Sequence, residues 1–241
     1  MILDIDLGNT RLKWREKKST GSRAQSFAVP WRKGTHIPIL NLEASPDRIR
    51  VSNVRGPDAE VAIVAWARAR FGIEPEFARS TPCAAGVNNG YHAYAALGVD
   101  RWLAVIAAFD RLKSALVVFD FGSAITADAV SEDGCHLGGF IAPGLVMMQG
   151  SLLAGTDLVR FAGQGKGTLQ PASDTRSAVE NGVLAAAVGF TEQVWQHLGR
   201  ATAARCAILT GGDAPVIASH LSIPLTIEPD LVLDGLALAL P

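Results

Sequence analysis

Two short phrases in this chain each set an acid and small hydrogen-bonding residues at the end of an apolar run. The first is Ile5-Asp6-Leu7-Gly8-Asn9-Thr10 and the second is Phe119-Asp120-Phe121-Gly122-Ser123-Ala124. In each, a carboxylate closes a strand, one apolar residue follows, a Gly leaves the backbone open to close approach, and hydroxyl or amide side chains complete the turn. Such a turn suits a phosphate and its metal ion. A lone Asp-x-Gly at a strand end is ordinary turn chemistry, but recurrence in matching contexts argues for a shared task. In the first copy, Asp6 can enter a Mg²⁺ shell directly or through water. Backbone amides of Leu7, Gly8, Asn9, Thr10, Arg11 and Leu12, with the Lys13 ammonium, can neutralise phosphates. The alternative is a capped hairpin with a solvated Lys13.

A second constellation is not repeated: Tyr91, then Gly98-Val99-Asp100-Arg101-Trp102. An acid and a guanidinium are adjacent at a helix start. Asp100 there can simply cap the helix and favour its dipole, with Arg101 a surface charge. The chemical alternative makes Asp100 the base for a substrate hydroxyl and Arg101 the partner of a carboxylate or transferring phosphoryl group. Gly211-Gly212-Asp213-Ala214 gives a flat backbone surface on which a ring such as adenine can lie, and alone it is only a turn. Other nucleotide signatures fail on spacing. Gly163-Gln164-Gly165-Lys166-Gly167-Thr168 has Arg160 and Gly167 where a Walker loop needs Gly and Ser or Thr, and Thr168 where the dinucleotide fingerprint needs Gly. That stretch reads as a surface loop.

The elements that would position these groups repeat as well. After the first phrase, residues 11–15 and 24–29 flank a polar turn at 17–22 containing Gly21; after the second, residues 125–130 and 135–141 flank the turn at 131–134. Both halves open as a three-stranded meander, and a repeat of this size implies two similar domains with the paired turns on opposite walls of a cleft. The division falls at residues 1–114 and 115–241. Residues 49–54 read as a strand, 59–71 as a helix capped by Asp58 and stopped at Gly72, and 75–90 as a loop. Residues 101–112 carry helical periodicity, and 115–119 form an apolar run suited to a strand buried on both faces. A long helix is expected over 175–198, ending at Gly199, with a small-residue face at 182–189 for a core or subunit contact. Residues 206–210 read as a strand and 230–240 as a closing helix.

At 241 residues and 49% hydrophobic content the chain can bury two modest cores. Lys plus Arg number 22 against 23 Asp plus Glu, so no basic field recruits nucleic acid. The N-terminus, with Asp4 and Asp6, lacks the pattern of a signal peptide, and no apolar stretch approaches the roughly 20 residues of a membrane span. A cytoplasmic location is expected. Cys83, Cys135 and Cys206 form no disulfide framework, and His36, His92, His136, His197 and His220 lack zinc-ligand spacing.

Taken together the motifs resemble the type III pantothenate kinases, of the actin-like superfamily that includes acetate and sugar kinases, from Met1 to Pro241. Asp6-Leu7-Gly8-Asn9-Thr10-Arg11-Leu12-Lys13 is similar to the family's Asp-x-Gly-Asn-Thr-x-x-Lys phosphate motif, and Gly98-Val99-Asp100-Arg101 to its Gly-x-Asp-Arg substrate motif. Residues 120–128 resemble its second phosphate motif, 138–144 a glycine segment and 211–214 its adenosine region. The resemblance implies an α/β fold of two actin-like (ribonuclease H-like) domains, each a mixed sheet with flanking helices, around an ATP cleft. It implies ATP-dependent phosphorylation of pantothenate to 4′-phosphopantothenate, the first step of coenzyme A synthesis, with Asp100 as proton acceptor. Tyr91, Gly98, Val99, Asp100, Arg101 and Thr175 would lie at pantothenate, residues 6–13 and Ser123 at ATP. Asp120 would ligate a monovalent cation, K⁺ or NH₄⁺, required beside Mg²⁺. A homodimer is implied, with Thr175 serving the neighbouring subunit. Ser123 stands where the family commonly has Thr; the hydroxyl is kept with a less restricted rotamer. The alternatives are a kinase of this fold for another hydroxylated acceptor, or a nucleotide-binding regulator without turnover.

Overall fold

The computed structural model describes residues 1–17, 25–31, 37, 38, 40, 42–163, 165 and 167–241. Gly21 and most of its turn, Ala24, His36, Gln164 and Lys166 lie outside the described residues. The described chain divides into two compact units, Met1–Arg111 with Asp230–Pro241, and Leu112–Pro229.

In the first unit, β1 (Ile2–Leu7), β2 (Arg11–Lys17) and β3 (Ser26–Pro30) form an antiparallel meander, and β4 (Arg48–Asn53) then pairs parallel with β1. Helix α1 (Pro57–Phe71) leads to β5 (Glu76–Phe77), parallel to β4. The sheet order is β3-β2-β1-β4-β5. A small hairpin of β6 (Cys83–Ala84) and β7 (Val87–Asn88) precedes α2 (Val99–Leu112). In the second unit, β8 (Leu116–Phe121), β9 (Ala124–Val130) and β10 (His136–Pro143) form another meander, followed by α3 (Leu145–Gly155) and α4 (Thr175–Thr202). Then come β11 (Ala207–Thr210), α5 (Ala214–Ala218) and β12 (Leu225–Ile227), giving the order β10-β9-β8-β11-β12. The two sheets share one topology, three antiparallel strands and then two parallel ones. The repeat read in the sequence is therefore a repeat of structure.

Each central strand is apolar because it is covered on both faces. Leu3, Ile5 and Leu7 of β1 pack with Ile49, Val51 and Ile63, while Val117, Phe119 and Phe121 of β8 pack with Leu184, Ala187 and Leu209. Helix α1 begins at Gly56 with no side-chain cap, since Pro57 takes the first helical position; Asp58 sits in the first turn instead of capping. It ends at a left-handed Gly72, as the sequence predicts. Helix α4 runs through Gly199 to Thr202 and ends at Ala203. The buried face Leu198, Gly199 and Thr202 continues to pack there, so the glycine does not stop it. Helix α3 carries apolar residues on no single face and includes Gly150 and Gly155, so periodicity did not reveal it.

The last helix, α6 (Leu231–Ala239), belongs with the first unit, against the expected division into 1–114 and 115–241. Charge and packing explain this. Asp4, fully buried on β1, takes Arg15 Nη2 at 3.2 Å and Arg50 Nε at 2.7 Å. Arg15 Nη1 reaches Asp234 of α6 at 2.5 Å, Arg15 Nη2 the Leu233 carbonyl at 2.8 Å, and Arg50 Nη1 the Leu240 carbonyl at 2.9 Å. Removing one member of such a buried network costs about 3–5 kcal/mol. Gly235 permits the close approach, because a Cβ there would stand 2.3 Å from the Leu103 carbonyl oxygen of α2. No helix among the described residues is long and apolar enough to cross a membrane.

Candidate active site

Asp6 sits one residue from the end of β1, opposite Lys13 of β2 and Ser52 of β4. The hairpin tip beyond it, Asn9, Thr10 and Arg11, is exposed, while Leu7 and Leu12 on either side are buried and anchor it. The Trp31 amide donates to the Thr10 carbonyl at 3.0 Å and the Val54 amide to that of Leu7 at 3.3 Å, fixing the turn from both sides. Oδ1 of Asp6 is buried and has no hydrogen-bond partner among the described residues. Burial and then the nearby Asp100 carboxylate raise the Asp6 pKa to about 6, against the weaker lowering influence of Ser52 and Lys13. The Ser52 hydroxyl is near enough to favour the carboxylate but is not aligned as a direct hydrogen bond, since its own Oγ is also without a partner.

Asp100 lies in the first turn of α2, and its Oδ1 accepts the Arg101 amide at 2.8 Å. Gly98 makes that position possible, since a Cβ on it would stand 2.7 Å from Asp100 Oδ1. The preceding segment is held by Ser80 Oγ donating to the Leu97 carbonyl at 2.7 Å and by the Tyr91 amide donating to Asn89 Oδ1 at 3.0 Å. Arg101 is no surface charge: it is 7% exposed, donates from Nη1 to the Tyr91 hydroxyl at 2.8 Å, and its guanidinium carbon lies 5.6 Å from the Tyr91 ring centre. A buried guanidinium aimed by a phenol is a site for an anion. The first unit thus gathers Asp6, Lys13, Tyr91, Gly98, Val99, Asp100 and Arg101.

A Mg²⁺ ion fits this group. An orphaned carboxylate oxygen beside a second carboxylate is electrostatically unfavourable until a cation arrives. Among the described residues no cluster of three metal-ligating side chains exists. A divalent ion held by one or two carboxylates, completed by phosphate oxygens and water, is the usual manner for Mg²⁺.

The second unit builds a different turn from the same topology. Asp120 of β8 pairs with Thr210 of β11, so the residue after Thr210 faces its carboxylate. That residue is Gly211, with φ +92°, and a Cβ on it would lie 2.4 Å from both Asp120 Oδ1 and the Phe121 carbonyl. Only glycine fits on both counts. The Asp213 amide donates to the Phe121 carbonyl at 3.1 Å and the Gly144 amide to that of Ser123 at 3.1 Å. Asp120, Ser123 and the Gly211-Gly212-Asp213 segment are therefore neighbours. Thr175 opens α4 behind Asp174, whose Oδ1 caps the Ser177 amide at 2.9 Å. It lines an apolar pocket of about 550 Å³ with Met148, Leu152, Val179 and Val183; neither Asp120 nor Ser123 lines it.

Residues 2–197 match the type III pantothenate kinase family. The chain belongs to that family. A type III pantothenate kinase of Chromohalobacter salexigens is 39% identical over 249 residues, covering 100% of this chain and 88% of that protein. One of Pseudomonas aeruginosa is 36% identical over 247 residues, covering 100% and 99%. Among solved structures, a protein described as a conserved Baf family transcriptional activator from Campylobacter jejuni superposes with TM-score 0.60 at 22% identity, covering 98% of this chain and 95% of its own. The ethanolamine utilization protein EutJ of Carboxydothermus hydrogenoformans gives 0.52 at 12%, covering 98% and 89%. At those identities the likeness is one of fold.

Two neighbours of the Asp6 and Lys13 group escaped the sequence reading. Ser52 reaches Asp6 only through the parallel register of β1 and β4. Asp230, whose Oδ1 lies 2.8 Å from Lys13 Nζ, is more than two hundred residues away in the chain. Neither has a local motif.

Proposed function

We propose that this protein phosphorylates pantothenate with ATP to give 4′-phosphopantothenate, the first step of coenzyme A synthesis, with Asp100 as general base. The observation that carries the assignment is the buried Arg101–Tyr91 pair next to Asp100: it offers a carboxylate-binding cation one residue from a proton acceptor. Pantothenate has both a carboxylate and a primary hydroxyl, so one molecule can engage both. In this scheme Arg101, Tyr91, Gly98 and Val99 bind and orient the acceptor, and Asp100 takes the proton of its hydroxyl as that oxygen bonds the γ-phosphorus and the bond from the γ-phosphorus to the β-phosphate oxygen breaks, releasing ADP. The amides of the 7–12 segment and Lys13 receive the ATP phosphates, and Ser123 contributes a hydroxyl to them. Asp6 would hold Mg²⁺, which when bound neutralises charge on the β- and γ-phosphate oxygens. Asp120 would hold the monovalent cation, K⁺ or NH₄⁺.

The enzyme acts as a homodimer in the cytoplasm. Support for the dimer comes from apolar surface in the second unit: Ile141, Val146 and Met147 are 65%, 54% and 53% exposed, beside the apolar pocket that Thr175 lines. The small residues Gly182, Ala186 and Gly189 are exposed on α4, while Val183, Leu184, Ala187 and Val188 face the core. Thr175 then serves the partner's pantothenate. Light scattering should give twice the monomer mass; a monomer at micromolar concentration contradicts this part.

The acceptor is tested by incubating protein, ATP, Mg²⁺ and K⁺ with pantothenate and with a panel of sugars and hydroxy acids, reading phosphorylated products by mass spectrometry. Phosphopantothenate alone is expected. Phosphorylation of another acceptor instead, or stabilisation by ATP and pantothenate without any product, overturns the assignment.

A further inference from the structure

Lys13 does not stand by itself on the hairpin. Its Nζ lies 2.8 Å from Oδ1 of Asp230, the residue immediately before α6, with both side chains about three-quarters buried. The contact is an ion pair, not an aligned hydrogen bond to that oxygen, which has no hydrogen-bond partner of its own. Burial pushes the Asp230 carboxyl up, but the nearby Lys13 ammonium and Ser26 hydroxyl, with the charge of Arg15, outweigh it, leaving the group below its ordinary value and ionised near neutral pH.

Asp230 is itself held in place. Leu231, Leu233 and Leu236 of α6 are fully buried, Asp234 is paired with Arg15 and Arg111, and Gly235 lies against the backbone of α2 at Leu103. Leu103 is one helical turn from Asp100. Helix α6 therefore touches both the hairpin that carries Lys13 and the helix that carries Asp100. A lysine has a long stem with several rotamers, and as a point charge its value to a phosphate depends on where it is held. On β2, Lys13 lies opposite Asp6, close enough for its charge to favour the Asp6 carboxylate.

We propose that Asp230 is a positioning residue, a fixed post on the C-terminal segment that holds the Lys13 ammonium at the hairpin where the ATP phosphates bind. The proposal rests on the assignment of that hairpin to ATP. It places the last segment of the chain in the service of a motif at the first.

The test is a mutant cycle on the full-length enzyme, with KM for ATP, KM for pantothenate, kcat and Tm measured for Asp230→Asn, Lys13→Met, the double variant and Asp230→Glu. Asp230→Asn should raise KM for ATP by about tenfold and leave that for pantothenate within about twofold. In the Lys13→Met background the Asp230→Asn change should have no further effect on KM for ATP, because a residue acting only through Lys13 has nothing left to hold. Asp230→Glu, which keeps the charge on a longer stem, should fall between wild type and Asp230→Asn, and it supplies the readout if the amide variant folds poorly. An unchanged KM for ATP in both Asp230 variants, with a raised value in Lys13→Met, overturns the proposal and leaves the hairpin assignment standing. So does an equal effect of Asp230→Asn in the presence and absence of Lys13, the mark of a merely structural role. An unchanged KM for ATP in Lys13→Met removes the hairpin assignment and the proposal with it.

Discussion

The turns after β1 and after β8 occupy equivalent places in two sheets of one topology, yet their acids stand in different surroundings. Asp6 has an orphaned, buried oxygen, a second carboxylate in Asp100 close enough to raise its pKa to about 6, and a lysine across the hairpin. Asp120 instead lies against backbone, with the positive-φ Gly211 packed so closely that no side chain fits. A paired-acid turn with one lysine suits a divalent ion and phosphates; the turn at Asp120, closed by Gly211 and the Phe121 carbonyl, is the one to which we assign the monovalent ion. Duplication supplies a scaffold, and the residues that distinguish the copies come from outside the repeated phrase: Asp100, Ser52 and Asp230 on one side, Gly211 on the other.

The largest break should come from Asp100→Asn. Loss of the general base we propose is expected to lower kcat by about 10²–10⁴-fold, while calorimetry should show Mg·ATP binding unchanged or tighter, because a repulsive charge beside Asp6 is gone. Near-normal kcat would remove Asp100 from that role. Gly211→Ala comes next. The forced φ alone costs about 1–3 kcal/mol, and the overlap with Asp120 adds to it, so Tm should fall by about 2–4 °C per kcal/mol lost. An unchanged Tm would show that the second turn is not closely packed.

A smaller effect lies in pH. The Asp6 pKa is raised above its ordinary 3.8 to about 6, so in the absence of metal the folded protein keeps a proton there that the unfolded chain releases. Its ionisation costs stability as pH rises from about 4 to 6, and Asp6→Asn should be at least as stable as wild type above that window. Mg²⁺ competes with the proton, so its apparent affinity, read by isothermal titration, should weaken as pH falls through about 6. In Asp100→Asn the weakening should move to lower pH. A pH-independent affinity between 5 and 8 would exclude Asp6 as a metal ligand.

Much of the fold is legible in the residues themselves. Alternation, the Gly72 stop and the doubled phrase give both meanders, α1, α2 and the two-unit plan, because these are local or repeated signals. Helix α6 was expected as an element but assigned to the other unit. Its partners, Arg15, Arg50 and Leu103, declare themselves only once three dimensions bring buried charges together. Helix α3 had no period to read. In the site, Asp6 and Asp100 carry spacing that motif reading can find, and Arg101 carries an ambiguity that only burial resolves. Ser52 and Asp230 were invisible because strand register and C-terminal docking put them there.

The difference between the two turns is tested most directly by cation dependence. Initial rates would be measured against Mg²⁺ at saturating K⁺, and against K⁺ at saturating Mg²⁺, for wild type, Asp6→Asn and Asp120→Asn. Asp6→Asn should raise the Mg²⁺ requirement by about tenfold or more and leave the K⁺ requirement alone, and Asp120→Asn should do the reverse. If both variants shift the same cation, or if each shifts the other's, the assignment of unequal roles to the two turns is wrong.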